Sequence, residues 1–162
     1  MTSRCSPGAQ AVFARLVPAG EVLVFRDVPD GRVRELIGAL ADAEGRLPSE
    51  LLAEYGRFWI ASARDAYPSA FAALDASAFL QRFGALHAAS RALPGSEPPD
   101  IAVSQPGPGR VVLRYASRRR MCGLVRGMVE GVAAHYGGVA RVREPECMLR
   151  GDACCTFEVD LA

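Results

Sequence analysis

The 162-residue chain contains no lysine and no asparagine, so all 19 of its basic residues are arginine. Together with its many alanines and glycines, this reads as a high-GC bacterial coding bias, and a run such as "SRRR" (117–120) carries little meaning by itself. The net charge is only +1, which gives no case for a nucleic-acid partner or an anionic membrane surface. No apolar run approaches the roughly 20 residues that a membrane span needs. The start, "MTSRCSPGAQ", lacks the apolar core of a signal peptide. A soluble cytoplasmic protein is expected. Nucleophile–base spacings, phosphate-binding glycine loops and paired-carboxylate motifs are also missing, so no enzyme is expected. No repeat, low-complexity tract or linker interrupts the chain.

What remains is rich in apolar residues, at 50% of the chain. That content excludes disorder, and the length suits one domain with a sizeable core. Three segments of the first half carry helical spacing. "DGRVRELIGALADAEG" (30–45) stops at Gly45. "SELLAEYGRFWIASARDAY" (49–67) starts on Ser49 as a cap and ends at Pro68, and "DASAFLQRFGALHAASRAL" (75–93) opens on Asp75 and stops before Pro94. "AQAVFARLV" (9–17) supplies one short helix before them.

The second half changes period. "IAVSQ" (101–105) and "RVVLRY" (110–115) read as strands joined through the Pro/Gly turn 106–109. "RRMCGLVRGMVEGVAAHY" (119–136) reads as an amphipathic helix stopped by Gly137-Gly138. "VARVREPECML" (139–149) and "CCTFEVDL" (154–161) alternate like antiparallel strands turned at "RGDA". The expected fold is α+β: N-terminal helices, then a helix packed on a small antiparallel sheet.

Two constellations carry chemistry. The first begins with His87, on the same helical side as Phe79, Leu80, Phe83 and Leu86. A lone histidine on such a face is usually packed core; the alternative is a ligand to a flat apolar cofactor. Tyr115, Ser117 and Arg119 would face one way in an extended segment and offer a phenol, a hydroxyl and a guanidinium fork. Such a set suits a ligand with carboxylates, which arginine meets bidentately. The plainer alternative has Ser117 capping the following helix and Arg119 solvated.

"LHAASRALPGSEPP" followed by "LRYASRRR" resembles the haem nitric oxide/oxygen binding (H-NOX, HNOB) family. The family signature is a helical histidine, a proline-containing loop and then Y-x-S-x-R. The resemblance runs over about 25–160, including "YGRFWI", "YPSAF" and the "GLVRGMVEG" helix, with a shortened N-terminus. It implies a single haem-binding domain, 1–162, holding haem b with His87 as the proximal iron ligand. It also implies that Tyr115, Ser117 and Arg119 hold the propionates and that Pro99 presses on the macrocycle. Oxygen-binding members carry a distal tyrosine where this chain has Leu124, and a smaller polar residue where it has Trp59. The resemblance therefore implies a sensor of nitric oxide or carbon monoxide. Its output would be release of His87 and movement of its helix, read by a separate protein such as a histidine kinase or a cyclic-di-nucleotide enzyme.

The second constellation is cysteine. Reduced thiols are expected of all five cysteines, as metal ligands or redox sensors rather than disulfides. A hairpin can bring Cys147 beside Cys154 or Cys155, and adjacent strand residues point to opposite faces unless a bulge intervenes. With Cys122 these form a candidate tetrahedral zinc site, although no C-x-x-C pair is present. The alternative is a set of small buried hydrophobes. His135 is the substitute fourth ligand, and Glu130 and Glu144 read as solvated charges. Cys5 has no assigned role. "REPECMLRGDACCTFEV" also resembles the end of 4-vinyl reductase (V4R) domains, and some bacterial H-NOX-like proteins carry a cysteine-bound zinc here. A haem-free regulatory domain with a cysteine zinc/redox site, or with another small hydrophobic ligand, is the second functional expectation.

Overall fold

Residues 6–17, 28–92 and 95–162 are described by the structure, a computed structural model. Cys5, the first residues of the 25–160 resemblance, and residues 93 and 94, the last of the third expected helix and the proline after it, lie outside the described residues. The chain divides into two compact units, Met1–Leu52 and Ala53–Ala162.

The first unit holds α1 (Pro7–Leu16) and α2 (Asp30–Glu44). Ser6 caps α1, its Oγ accepting the Ala9 N–H at 3.1 Å, and Pro7 begins the helix where its missing N–H is not needed. The two helices run antiparallel, because each end is tied to its opposite. The Ser6 N–H donates to Glu44 Oε1 at 3.1 Å, and Arg32 Nη2 donates to the Leu16 carbonyl at 2.9 Å. Gly45 stops α2 with a left-handed φ of 64°, as its spacing predicts.

α3 (Pro48–Ala66) crosses the boundary between the units. It begins on Pro48 rather than on a Ser49 cap, and the Glu50 carboxylate accepts the Leu47 N–H at 2.9 Å. The second unit continues with α4 (Ala76–Ser90), β1 (Asp100–Gly107), β2 (Arg110–Ala116), α5 (Cys122–His135), β3 (Ala140–Glu146), a short 3₁₀ turn (Met148–Arg150) and β4 (Cys155–Leu161). Asp75 caps α4 as expected, with its Oδ1 2.7 Å from the Ala78 nitrogen. The strands form one antiparallel sheet in the order β1-β2-β4-β3. The first hairpin is tighter than its sequence implies, because β1 continues through Pro106 and turns only at Pro108 and Gly109. No helix of the described residues is long and apolar enough to cross a membrane.

One sheet face is apolar and buries Val111, Leu113 and Tyr115 of β2 against Cys155, Phe157 and Val159 of β4. Phe79, Leu80 and Phe83 of α4 and Val125, Val129 and Val132 of α5 complete this core with Ile60 of α3. The other face carries paired charges, Arg110 with Asp160 at 3.3 Å and Arg143 with Glu158 at 3.0 Å. α3 meets α5 at glycines. A Cβ on Gly127 would collide with the Ala53 backbone, and one on Gly56 with the backbone of Leu124 and Met128.

Candidate functional site

His87 lies one turn after Phe83, and the two rings meet edge to face at 4.3 Å. Its Nδ1 is 3.0 Å from the Phe83 carbonyl. A carbonyl can only accept, so Nδ1 donates to it, and in a neutral imidazole so held Nε2 presents the lone pair that a metal needs. His87 is half-buried, and Leu86, expected on the same apolar stripe, is exposed.

Tyr115, Ser117 and Arg119 do come together, by a different route from strand alternation. β2 ends at Ala116, and residues 117–120 form a turn in which the Arg120 N–H donates to the Ser117 carbonyl at 3.1 Å. Arg120 takes a φ of 50° to close it, the sole non-glycine with positive φ among the described residues. Ser117 Oγ accepts the Arg119 N–H at 3.2 Å, so it orders the turn instead of capping α5, whose N-cap Met121 has no side-chain cap. The Tyr115 hydroxyl, 4% exposed as a residue, is bonded to Ser117 and accepts the Met121 N–H at 3.3 Å. Burial pushes its ionisation up, so it remains a donor. Arg119 Nη1 donates to the Glu97 carbonyl at 3.3 Å, and Arg118 pairs with the Glu97 carboxylate. The loop 95–99 is thereby held over the turn. Pro99 immediately precedes β1, whose first residue pairs with Ala116.

The donor types suit haem: an imidazole on α4, a phenol and a hydroxyl bonded together at the end of β2, and beside them a guanidinium that reaches the Glu97 carbonyl. The apolar hollow among Ile60, Phe79, Leu80, Phe83, Leu113 and Met128 is about 10 Å³. Ligand pockets measure roughly 300–1,000 Å³. Leu124 lies on the first turn of α5 and Trp59 on α3.

Of the adjacent pair Cys154-Cys155, one joins the other cysteines and one turns away, as strand alternation leads one to expect. Cys122 at the start of α5, Cys147 after β3 and Cys155 at the start of β4 are buried and face one another. Sγ of Cys155 lies 2.9 Å from that of Cys122 and 3.8 Å from that of Cys147. Cys154 is not among them. It points to the charged sheet face, where Arg114 Nη2 donates to its Sγ at 3.2 Å, as adjacent strand residues must diverge. His135 is also elsewhere, its ring against Phe71 at 5.0 Å and Tyr136 at 4.7 Å. Glu130 is the surface charge it was expected to be, paired with Arg57 at 2.6 Å.

Glu144 is the residue that sequence reading missed. It is 14% exposed at its side chain, and one carboxylate oxygen and the three sulfurs all lie within 4.8 Å of one another. The missed signal is alternation itself, which puts Glu144 on the inward face with Ala140 and Val142, and Pro145 then marks a bulge. Pairing in register resumes only at Glu146, so two residues of β3 oppose one of β4. Such a bulge changes which side the strand presents, so Glu144 and Cys147 both face inward although they are three apart.

Burial raises the ionisation of both Cys122 and Cys155, the latter from 9.0 to about 11. The metal-free thiols are therefore neutral. The stability they contribute is present below 9.0, where the unfolded thiol titrates, and is lost as pH rises from there to about 11. Metal-free protein is expected to melt at steadily lower temperature across this window, and Cys155→Ser should flatten the decline in calorimetric scans.

Comparison with known proteins points the same way as the geometry. The model of the haem-NO-binding (HNOB) family matches residues 13–144. No curated protein matches the chain. Among solved structures, an H-NOX protein from S. oneidensis in the Fe(II)NO ligation state is similar with a TM-score of 0.83 at 16% identity, covering 94% of this chain and 87% of that one. A point mutant of T. tengcongensis H-NOX gives 0.82 at 20% identity, covering 95% and 86%. An oxygen-binding H-NOX domain related to soluble guanylate cyclases, in its oxygen complex, gives 0.79 at 20% identity, covering 95% and 84%.

Proposed function

Since the chain belongs to the haem-NO-binding family, whose H-NOX domains bind haem and act as gas sensors, we propose that it is a haem-based sensor of nitric oxide that signals to a separate protein. The observation that carries this reading is His87, with its Nδ1 proton committed to Phe83 and its Nε2 available. Haem, when bound, would supply an iron centre that takes a diatomic gas. His87 would hold that iron, and Tyr115, Ser117 and Arg119 would meet the propionates. The absence of a phenol at Leu124 favours nitric oxide or carbon monoxide over oxygen, since a bound polarised oxygen needs a donor.

The output would be a shift of α4 once His87 is untethered. α4 lies directly on β1, where a Cβ on Gly84 would sit 3.0 Å from the Ile101 carbonyl. A change at His87 is therefore passed to the sheet edge that precedes the Tyr115 turn. Protein purified with haem supplied is expected to show a Soret band that shifts on adding nitric oxide and is lost in His87→Ala. No band, or one unchanged in that variant, refutes the proposal.

The buried thiols favour a second reading, a haem-free regulatory domain whose Cys122, Cys147 and Cys155 hold zinc and respond to oxidants. Hydrogen peroxide would take two electrons from the Cys122 and Cys155 thiolates and, with two protons, leave a disulfide and two waters while the cation departs. Zinc measured by elemental analysis before and after peroxide is the check. A metal content near zero, unchanged by oxidant, would remove it.

A further inference from the structure

Three thiolates leave a tetrahedral cation one ligand short. We infer that Glu144 is the fourth ligand and that Arg126 positions it, an inference that rests on the zinc reading above.

The Glu144 carboxylate is divided between two environments. Its Oε2 is 3.5 Å from Arg126 Nη2, and its Oε1 is buried with no hydrogen-bond partner. A buried carboxylate oxygen without a donor is a costly arrangement. The ligand-capable atoms beside the carboxylate are the sulfurs of Cys122, Cys147 and Cys155. Thiols are weak donors and do not offset that cost. A divalent cation amid the four atoms does, and it binds the cysteines as thiolates. Two sulfurs at the roughly 2.3 Å zinc–thiolate distance on a tetrahedron stand about 3.8 Å apart; Cys147 and Cys155 already have that separation, and Cys122 and Cys155, at 2.9 Å, would open to it on binding.

Arg126 reaches the site from α5. Its Nη1 donates to the Val142 carbonyl at 3.0 Å while Nη2 meets Glu144. The guanidinium therefore grips β3 on its backbone and on its carboxylate together. That grip occupies Oε2 and leaves Oε1 without a partner and free to act as a ligand, the role that outer partners of metal ligands commonly play. Cys154 has no such access from the opposite face. The resulting site is three sulfurs and one oxygen, harder than a four-thiolate site and less selective for soft cations.

Cobalt(II), added to the metal-stripped full chain and then displaced with zinc, is the probe, because thiolate-to-cobalt charge transfer reports how many thiolates bind. Wild type and Cys154→Ala should give the same spectrum and affinity. Glu144→Gln should weaken binding about tenfold or more and move the d–d bands, and Arg126→Gln should weaken it about 10–100-fold with the charge-transfer band unchanged. Glu144→Cys should raise that band in the ratio of four thiolates to three, which keeps the assignment testable if Glu144→Gln does not fold. Loss of the band in Cys154→Ala with no effect of Glu144→Gln overturns Glu144 alone. Failure of wild type to take up cobalt or zinc overturns the zinc reading with it.

Discussion

Gly127→Val is expected to prevent the second unit from folding stably. α5 meets α3 backbone to backbone at this position, and even a Cβ would overlap the main chain of Ala53. Overpacking a core usually costs about 1–3 kcal/mol because side chains can move aside. Here the obstacle is backbone, with Gly56 equally tight against Leu124 and Met128 one step along the same contact. The helices must separate, and separation uncovers Ile60, Val129 and Val132, which are among the most deeply buried side chains. A loss at the upper end of that range or beyond follows, visible as aggregation or a collapsed melting transition. Gly38→Ala is the contrasting case. Gly38 is inside α2 and a Cβ there has nothing within 4 Å, so alanine should stabilise by about 0.5–1 kcal/mol through helix propensity. Equal melting temperatures for the two variants would contradict the packing described for Gly127.

Much of the fold was readable because it rests on local rules. Asp75 and Gly45 bound their helices as capping chemistry predicts, and strand alternation placed Val111, Leu113 and Tyr115 on one face. Alternation failed wherever a turn or bulge intervened. Tyr115, Ser117 and Arg119 looked like one extended row, yet the left-handed Arg120 closes a turn that gathers them instead. Glu144 shares the inward face of Ala140 and Val142 by alternation, and the bulge at Pro145 brings Cys147 round to that same face, a coincidence that strict alternation denies. The cysteines were visible as a set, while the choice between Cys154 and Cys155 depended on strand register. The volume available to a cofactor is a sum over many side chains, and no pattern in the chain encodes it.

Removing metal from purified protein is expected to lower its melting temperature by about 5–10 °C relative to zinc-replete protein. Cys122, Glu144, Cys147 and Cys155 come from α5, β3, the turn after it and β4, so one cation ties together the elements that enclose this end of the core. A ligand that binds only the native state adds about 2.7 kcal/mol when present at a hundred times its dissociation constant. In a domain of about 150–250 residues each kcal/mol moves the transition by roughly 2–4 °C. The three thiols tolerate the metal-free state, since a buried neutral cysteine behaves as a small hydrophobe. Glu144 does not, because its buried oxygen then lacks any partner. The stripped protein should therefore loosen first around 144–155, seen as faster amide exchange there before the rest of the sheet opens. Identical calorimetric transitions and identical exchange with and without zinc would mean that the cluster is only a packed set of thiols.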